Sequence, residues 1–476
     1  MQNNFLVKQA DYSAAFLRAK IPENGPQTYL KPLHGMEMEP EMDCVRLLRG
    51  VYGLHSASSL WAEKLGSDLE ELGFVKSKVD PALFVRRGKP LDGEERGQIE
   101  CIISTYVDDC LVCVRDEATW EKLIEDMKNQ YKDSKVKTFS SDPGPLTHTL
   151  GMHVIRGDGW IELSHEDAIN NLIDEYGVRK MPGKFTPLAS TKTPLSKADC
   201  PTPYSNEERI MKNKPYRRLI GQLLHISGYT RWDIRYSVCF LARFANNPGK
   251  KHWKAAIHIL QYLKQTIHLH LRFGKPKNKG YLPLVKVKGA DWNHSNPAGP
   301  YLGGELAVEK SKCQIFSDTS FADCKDTARS TGGYCVYVEG CPISMESKRQ
   351  GTVSRSTAIA ELYGLDKATR EAKYMSALLK EFDYDVKFVD VIGDNSTAIG
   401  LATSAKHSQA TKHVRVAERA THEAIQEGCI RLYWCPSAFN VADIFTKNLP
   451  RETHTRLTRV LLGLGGEEEQ RREEEE

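Results

Sequence analysis

Apolar and polar positions recur with two periods along this chain, and the changes of period mark its elements. Residues 5–10 read as a short strand closed by Asp11. Residues 46–61 begin strand-like, turn at Gly53 and pass into helical spacing at Trp61, Leu65, Leu69 and Leu72. Residues 80–87 and 98–106 flank the polar stretch 88–97 and predict a hairpin. Residues 102–115 carry Asp108 and Asp109 between runs of Ile, Val, Cys and Tyr, which predicts a second hairpin with an acidic turn. Ser164 precedes a predicted helix ending at Tyr176, and the Pro-rich residues 182–203 read as loop. Trp253, Ala256, Ile257, Leu260, Leu263 and Ile267 line one face of a further helix. The last third predicts strands at 314–318, 331–338 and 342–346, then a helix over 357–379 with Leu362, Leu365, Ala368, Ala372, Met375 and Leu379 on one face. A strand over 386–392 leading to Asp394, a helix over 411–428, a strand over 429–435 and a helix from Ala442 follow, an order that implies a mixed α/β layer fold.

At 476 residues the chain exceeds one hydrophobic core, so two to four domains are expected. Its 40% hydrophobic and 27% charged content is globular, and a net charge of +4 says little about partners. The 12 Cys form no framework, which fits a reducing compartment; Cys110 and Cys113 alternate with Leu and Val and read as core filler, not as half a zinc site. No targeting signal or membrane-length apolar run is visible, so a soluble cytoplasmic protein (in virus-like particles) or a nuclear one, with no membrane partner, is expected.

Charge is unevenly spread. Between positions 209 and 279 stand sixteen Lys or Arg against one acid, Asp233. Arg217, Arg218, Arg231, Lys250, Lys251, Lys254 and Lys264 are the candidate contacts to a nucleic-acid backbone, with Tyr216, Tyr229, Trp232, Tyr236 and Trp253 interspersed. A solvated basic face is the plainer alternative. Asp108 and Asp109 are equally open: a tight turn suits a divalent cation, and it also suits an ordinary solvated turn.

The motifs taken together narrow this. Asp11/Ala15/Phe16/Leu17, Val51-Tyr52-Gly53-Leu54 with Trp61, Gly73-Phe74 with Asp80-Pro81 and Phe84, and Tyr106-Val107-Asp108-Asp109 stand in the order found in copia-type reverse transcriptases, which the chain resembles. Leu150–Val154 resembles that family's next block, and Tyr216–Leu224, Thr230–Ile234 and His252–Ala256 resemble its thumb and connection segment. The resemblance implies a palm in which Asp11, Asp108 and Asp109 hold two metal ions, Phe16 lies under the deoxynucleotide sugar and Gly53 lets backbone approach nucleotide or template. Ordinary packing and a turn are the alternatives for the last two. His55–Ser59 replaces the family's Lys-Gln-Ala-Pro-x, and the basic residues of the fingers would lie upstream of the ten residues before Asp11. An impaired polymerase is therefore expected.

The last third resembles the ribonuclease H of the same elements. The matching blocks are Ser317-Asp318, Ser330–Tyr334, Ser347–Gln350, Ser356-Thr357 with Ala360-Glu361, Asp394–Ala398, Thr411-Lys412-His413 and Ala442-Asp443-Ile444 with Thr446-Lys447. Asp318, Glu361, Asp394 and Asp443 fall on the metal carboxylates, and each site would hold two Mg²⁺ or Mn²⁺. Ser320-Phe321 replaces an Asp-Trp and Ala417 an Arg, while Asp323, Asp326 and His422 read as surface residues. The expected fold class is multidomain α+β and α/β: a partial palm at 1–163, thumb/connection at 164–274, a linker at 275–309, a ribonuclease H-like domain at 310–462 and an acidic tail at 463–476. The expected function is that of a retrotransposon Pol fragment that binds RNA·DNA hybrid and primer–template, takes deoxynucleotides if its polymerase works, and cuts the RNA strand. The alternatives are a catalytically dead nucleic-acid-binding relic and a stand-alone polymerase.

Overall fold

The computed structural model describes residues 5–31, 35, 43–90, 93, 96–130, 140–141, 146–189, 194–274, 311–403 and 415–464. The expected linker, the Thr411-Lys412-His413 block and nearly all of the acidic tail lie outside them. The chain divides into two compact units, residues 1–149 and 150–476.

The first unit contains β1 (Leu6–Asp11), β2 (Tyr29–Leu30), β3 (Val45–Arg46), α1 (Ala57–Glu71), β4 (Val75–Lys76), β5 (Leu83–Arg87), β6 (Ile99–Tyr106), β7 (Asp109–Val114), α2 (Glu117–Gln130), β8 (Ser140–Ser141) and β9 (His148–Thr149). Its main sheet has the order β4-β5-β6-β7-β1-β8. Along β6 and β7 burial alternates residue by residue, as a sheet with one face on a core requires. Cys101, Ile103, Cys110, Val112 and Val114 turn inward, onto Trp61, Leu65 and Leu69 of α1 and Leu123 and Met127 of α2. Cys110 is thus core filler.

The second unit begins with an antiparallel group in the order β12-β11-β10, formed by β10 (Met152–Gly157), β11 (Trp160–Ser164) and β12 (Leu271–Gly274). Between β11 and β12 run α3 (Glu166–Glu175), α4 (Asn206–Lys212), α5 (Tyr216–Tyr229), α6 (Arg235–Ala242) and α7 (Lys250–Gln265). Leu172, Leu219, Leu223, Val238, Ile259 and Leu263 form their common core.

A five-stranded sheet follows, with β13 (Cys313–Ser320), β14 (Thr331–Val338), β15 (Cys341–Arg349), β16 (Val389–Gly393) and β17 (Ile430–Trp434) in the order β15-β14-β13-β16-β17. β13 pairs antiparallel with β14 and parallel with β16. It is the central strand and is buried at seven of its eight positions, which explains why its sequence is a run and not an alternation. α8 (Thr357–Glu381), α9 (Ser396–Thr403), α10 (Arg415–Gln426) and α11 (Arg451–Leu461) complete the unit. Ser356 opens α8 by accepting a hydrogen bond from the Ile359 amide at 3.3 Å.

Three expectations need correction. The last helix does not start at Ala442: Val441–Phe445 is a 3-10 turn, and α11 starts at Arg451, with Pro450 as its N-cap. The acidic hairpin turns at Val107 and Asp108, so Asp109 is already the first residue of β7. The helices before residue 274 and the sheet after residue 311 are not separate bodies: Trp232 and Leu271 share a core with Phe316, Tyr337, Tyr433 and Phe445. Apolar surface that a separate thumb would leave in water is buried here against the sheet.

Candidate metal centres

In the first unit β1 and β7 set Asp11 opposite Asp109. The Tyr12 amide donates to the Asp108 carbonyl at 3.0 Å, which fixes the turn beside the strand end. Val107 takes φ 59°, an uncommon conformation for a β-branched residue. Its carbonyl accepts a hydrogen bond from Trp61 Nε1 at 2.6 Å, so the helix holds the turn in that shape. Burial raises the Asp11 pKa, and the Asp108 and Asp109 charges raise it further. Gln9 Nε2 donates to Asp109 Oδ1 at 3.2 Å. Phe16 is half-buried in a short 3-10 turn and meets Tyr52 edge-on, ring centroids 5.0 Å apart. Gly53 has φ 90°, and nothing lies within 4 Å of where a Cβ would stand, so its turn needs glycine for conformation and leaves open space above it.

In the second unit the four acids come from four elements. Asp318 lies on β13, Glu361 on the first turns of α8, Asp394 just past β16, and Asp443 in the 3-10 turn. Among the described residues one trio, Asp318, Asp394 and Asp443, brings its carboxylate oxygens within 4.8 Å of one another. Glu361 stands outside that trio but is buried and feels it: burial raises its pKa far above the usual carboxylate range, and Asp318 and Asp394 add to the rise. Burial and Asp318 likewise raise Asp394 and Asp443. Only hard oxygen donors converge here, the set that suits Mg²⁺ or Mn²⁺.

The 3-10 turn is pinned to the sheet by side chains that the sequence reading did not single out as functional. Asn440 Nδ2 donates to the Ser317 carbonyl at 2.9 Å, and Ser347 Oγ to the Phe445 carbonyl at 2.6 Å. Thr446 Oγ1 donates to Asp318 Oδ2. Lys447 Nζ lies 2.8 Å from Asp443 Oδ1 and 3.3 Å from Asp318 Oδ1. Thr446-Lys447 was visible as a motif, but its link to Asp318 spans 128 and 129 positions and carries no local signal.

The candidate nucleic-acid contacts divide. Arg231 is removed from them, being 1% exposed and held bidentate by Asp233, Nε–Oδ1 3.0 Å and Nη2–Oδ2 2.7 Å. A guanidinium so placed cannot reach a phosphate without breaking a buried pair. Tyr216 and Trp232 are also buried and offer no stacking surface. Arg217, Arg218, Lys250, Lys251 and Lys254 are exposed. Arg218 pairs with Glu175 at 3.1 Å and Lys251 with Asp199 at 2.7 Å. Lys264 donates to the Met181 carbonyl and, at 3.3 Å, to that of Arg179. Asp323, expected at the surface, is half-buried, with Arg243 at 3.7 Å and the Thr331 hydroxyl at 2.8 Å.

Among the described residues no helix is long and apolar enough to cross a membrane. Residues 1–190 match the family model described as reverse transcriptase (RNA-dependent DNA polymerase). The chain is 29% identical over 96% of its length to a retrovirus-related Pol polyprotein from transposon TNT 1-94 of Nicotiana tabacum, and spans 31% of that protein. It is 26% identical over 94% of its length to the Pol polyprotein from transposon RE1 of Arabidopsis thaliana, and spans 26% of it. A putative transposon Ty5-1 protein of Saccharomyces cerevisiae is 26% identical over 71% of the chain and 92% of its own length. Among solved structures, ribonuclease H1 from Halobacterium salinarum is similar at 16% identity, covering 28% of this chain and 93% of that one, with a TM-score of 0.23. LC11 ribonuclease H1 in complex with RNA/DNA hybrid is similar at 14% identity, covering 28% and 94%, with a TM-score of 0.21. Over most of its length the chain is thus similar to transposon Pol polyproteins of the copia type, and over its first 190 residues to the reverse-transcriptase family.

Proposed function

We propose that residues 150–464 cut the RNA strand of an RNA·DNA hybrid, with Asp318, Glu361, Asp394 and Asp443 holding two Mg²⁺ or Mn²⁺ ions. The observation that carries this is the meeting of Asp318, Asp394 and Asp443 within 4.8 Å, from a central strand, a neighbouring strand end and a pinned turn, with Glu361 buried beside them. When bound, such ions make water nucleophilic and stabilise the leaving 3′-oxygen. The chain's own part is to set the carboxylates before substrate arrives. β13 and β16 fix Asp318 and Asp394 through parallel pairing, α8 brings Glu361 down on them, and Thr446 orients one oxygen of Asp318. The exposed cations Arg217, Arg218, Lys250, Lys251 and Lys254 supply positive charge for the hybrid backbone. In the first unit, Asp11, Asp108 and Asp109 form the polymerase metal site, over which primer–template and deoxynucleotide would lie, with Phe16 under the sugar. The Asp11–Asp109 register and the rise in the Asp11 pKa that its two acidic neighbours add to support that reading.

Cleavage of a labelled hybrid by the full chain in Mg²⁺ is expected, and Asp318→Asn is expected to lose at least a hundredfold in rate, on the order of a removed transition-state charge contact. Cleavage that is independent of metal, or equal in the two proteins, would exclude the assignment.

A further inference from the structure

Lys447 enters the acid cluster two residues after the 3-10 turn. Its ammonium spans Asp443 at 2.8 Å and Asp318 at 3.3 Å, two of the three acids that come within 4.8 Å of one another. A lysine ammonium is cationic at neutral pH, and here it lies between two carboxylates. A divalent ion held by the three acids would draw on the same two carboxylates. An ammonium and a divalent cation on one pair of carboxylates repel each other across a few ångströms.

We propose that Lys447 is a positioning residue that holds Asp318 and Asp443 together before metal enters and is displaced by the ion that takes its place. The inference rests on the metal-centre reading given above. The ammonium has somewhere to go. Lys447 also lines a cavity of about 540 Å³, walled among others by Leu188, Tyr236, Phe240 and Asn448. Asp323 lines the same cavity and offers the displaced charge a carboxylate, while Lys251 and Lys254 also stand on its wall. Lys447 thus acts as an internal counter-ion: it lowers the cost of crowding four acids together without metal and weakens metal binding by the work of its own removal.

The test is the melting temperature of the full chain in EDTA and across a Mg²⁺ titration, repeated with Mn²⁺, for wild type, Lys447→Met and Lys447→Arg. Lys447→Met is expected to melt lower than wild type in EDTA and to recover fully in saturating metal. Its titration midpoint is expected at about tenfold lower metal concentration, the direction set by removing a competing charge. Lys447→Arg keeps the charge and is expected to titrate near wild type. If Lys447→Met responds at the wild-type midpoint, or its melting deficit is the same with and without metal, Lys447 is a packing residue and the proposal fails. If neither wild type nor Lys447→Met responds to either ion, the metal-centre reading fails first and takes this inference with it.

Discussion

His165 shows how a single buried side chain can set a pH limit on the second unit. It is 2% exposed, its Nδ1 lies 2.7 Å from the Thr230 hydroxyl, and its Nε2 faces no hydrogen-bond partner among the described residues. Burial, and to a lesser extent His225 with its ring centroid 5.0 Å away, lowers its pKa from 6.5 to about 4. Between pH 6.5 and 4 the unfolded chain therefore binds more protons at this site than the folded one. The stability that the neutral ring contributes is full above pH 6.5 and is lost as pH falls towards 4, about 3 kcal/mol in all. Urea unfolding at pH 7 and pH 5 should show His165→Gln losing about 2 kcal/mol less than wild type over that interval. Equal losses would mean that the ring titrates normally. Residue-scale chemistry was unevenly legible in the sequence. Asp318 and Asp394 were found because they stand in motif blocks whose joint order resembles a known family; singly, either could be an ordinary strand-end or capping acid. Arg231 sits in a basic run that looks like surface, and nothing at that position says that Asp233 and Tyr262 close over it.

At the scale of elements, the site depends on how near the 3-10 turn Val441–Phe445 comes to β14. A Cβ on Gly333 would lie 2.5 Å from the Phe445 Cβ and 3.0 Å from the Glu346 carbonyl oxygen. Glycine at this position is what allows turn and strand to close, and with them Asp443 to reach Asp318. Gly333→Ala is expected to cost about 1–3 kcal/mol as overpacking and to push Asp443 out of the cluster. Its neighbour is the control, since a Cβ on Gly332 meets nothing nearer than 3.6 Å. Thermal melting with and without Mg²⁺ should show a reduced metal response in Gly333→Ala and a wild-type response in Gly332→Ala. Equal responses would mean that the turn tolerates displacement. Strands and long helices were legible here because their periods are local: α8 shows its apolar face in sequence, and β6 and β7 show their alternation. The 3-10 turn read as a helix start, because Val441, Ala442 and Ile444 resemble an apolar helical face. What stops the helix there is the pairing of Asn440 with Ser317 and of Phe445 with Ser347, contacts of 123 and 98 positions.

The scale of the whole second unit is where local pattern carried least. A basic helical stretch followed by a Gly- and Lys-rich segment suggests two domains and a linker. Yet the helices and the sheet are bonded through a buried network. Arg231 binds Asp233, Tyr262 donates to Asp233 at 2.7 Å, and the Asp233 carbonyl meets His454 Nε2 of α11 at 3.2 Å. The Arg272 amide donates to the Leu462 carbonyl at 2.9 Å, and Arg243 Nη2 donates to the Thr331 hydroxyl at 2.8 Å. Charge pairs this deeply buried contribute little while intact and cost much when halved. Arg231→Met keeps most of the volume and leaves Asp233 an unpaired buried carboxylate, so a loss of about 3–5 kcal/mol is expected. Because Asp233 touches both the helices and α11, the loss should not stay local. Amide hydrogen exchange should rise together in α5, in α7, in α11 and in β13, as one cooperative unit opens. Exchange that rises in α5 and α7 while β13 and α11 keep their protection would mean that the helical part and the five-stranded sheet unfold as separate domains, as the sequence alone suggested.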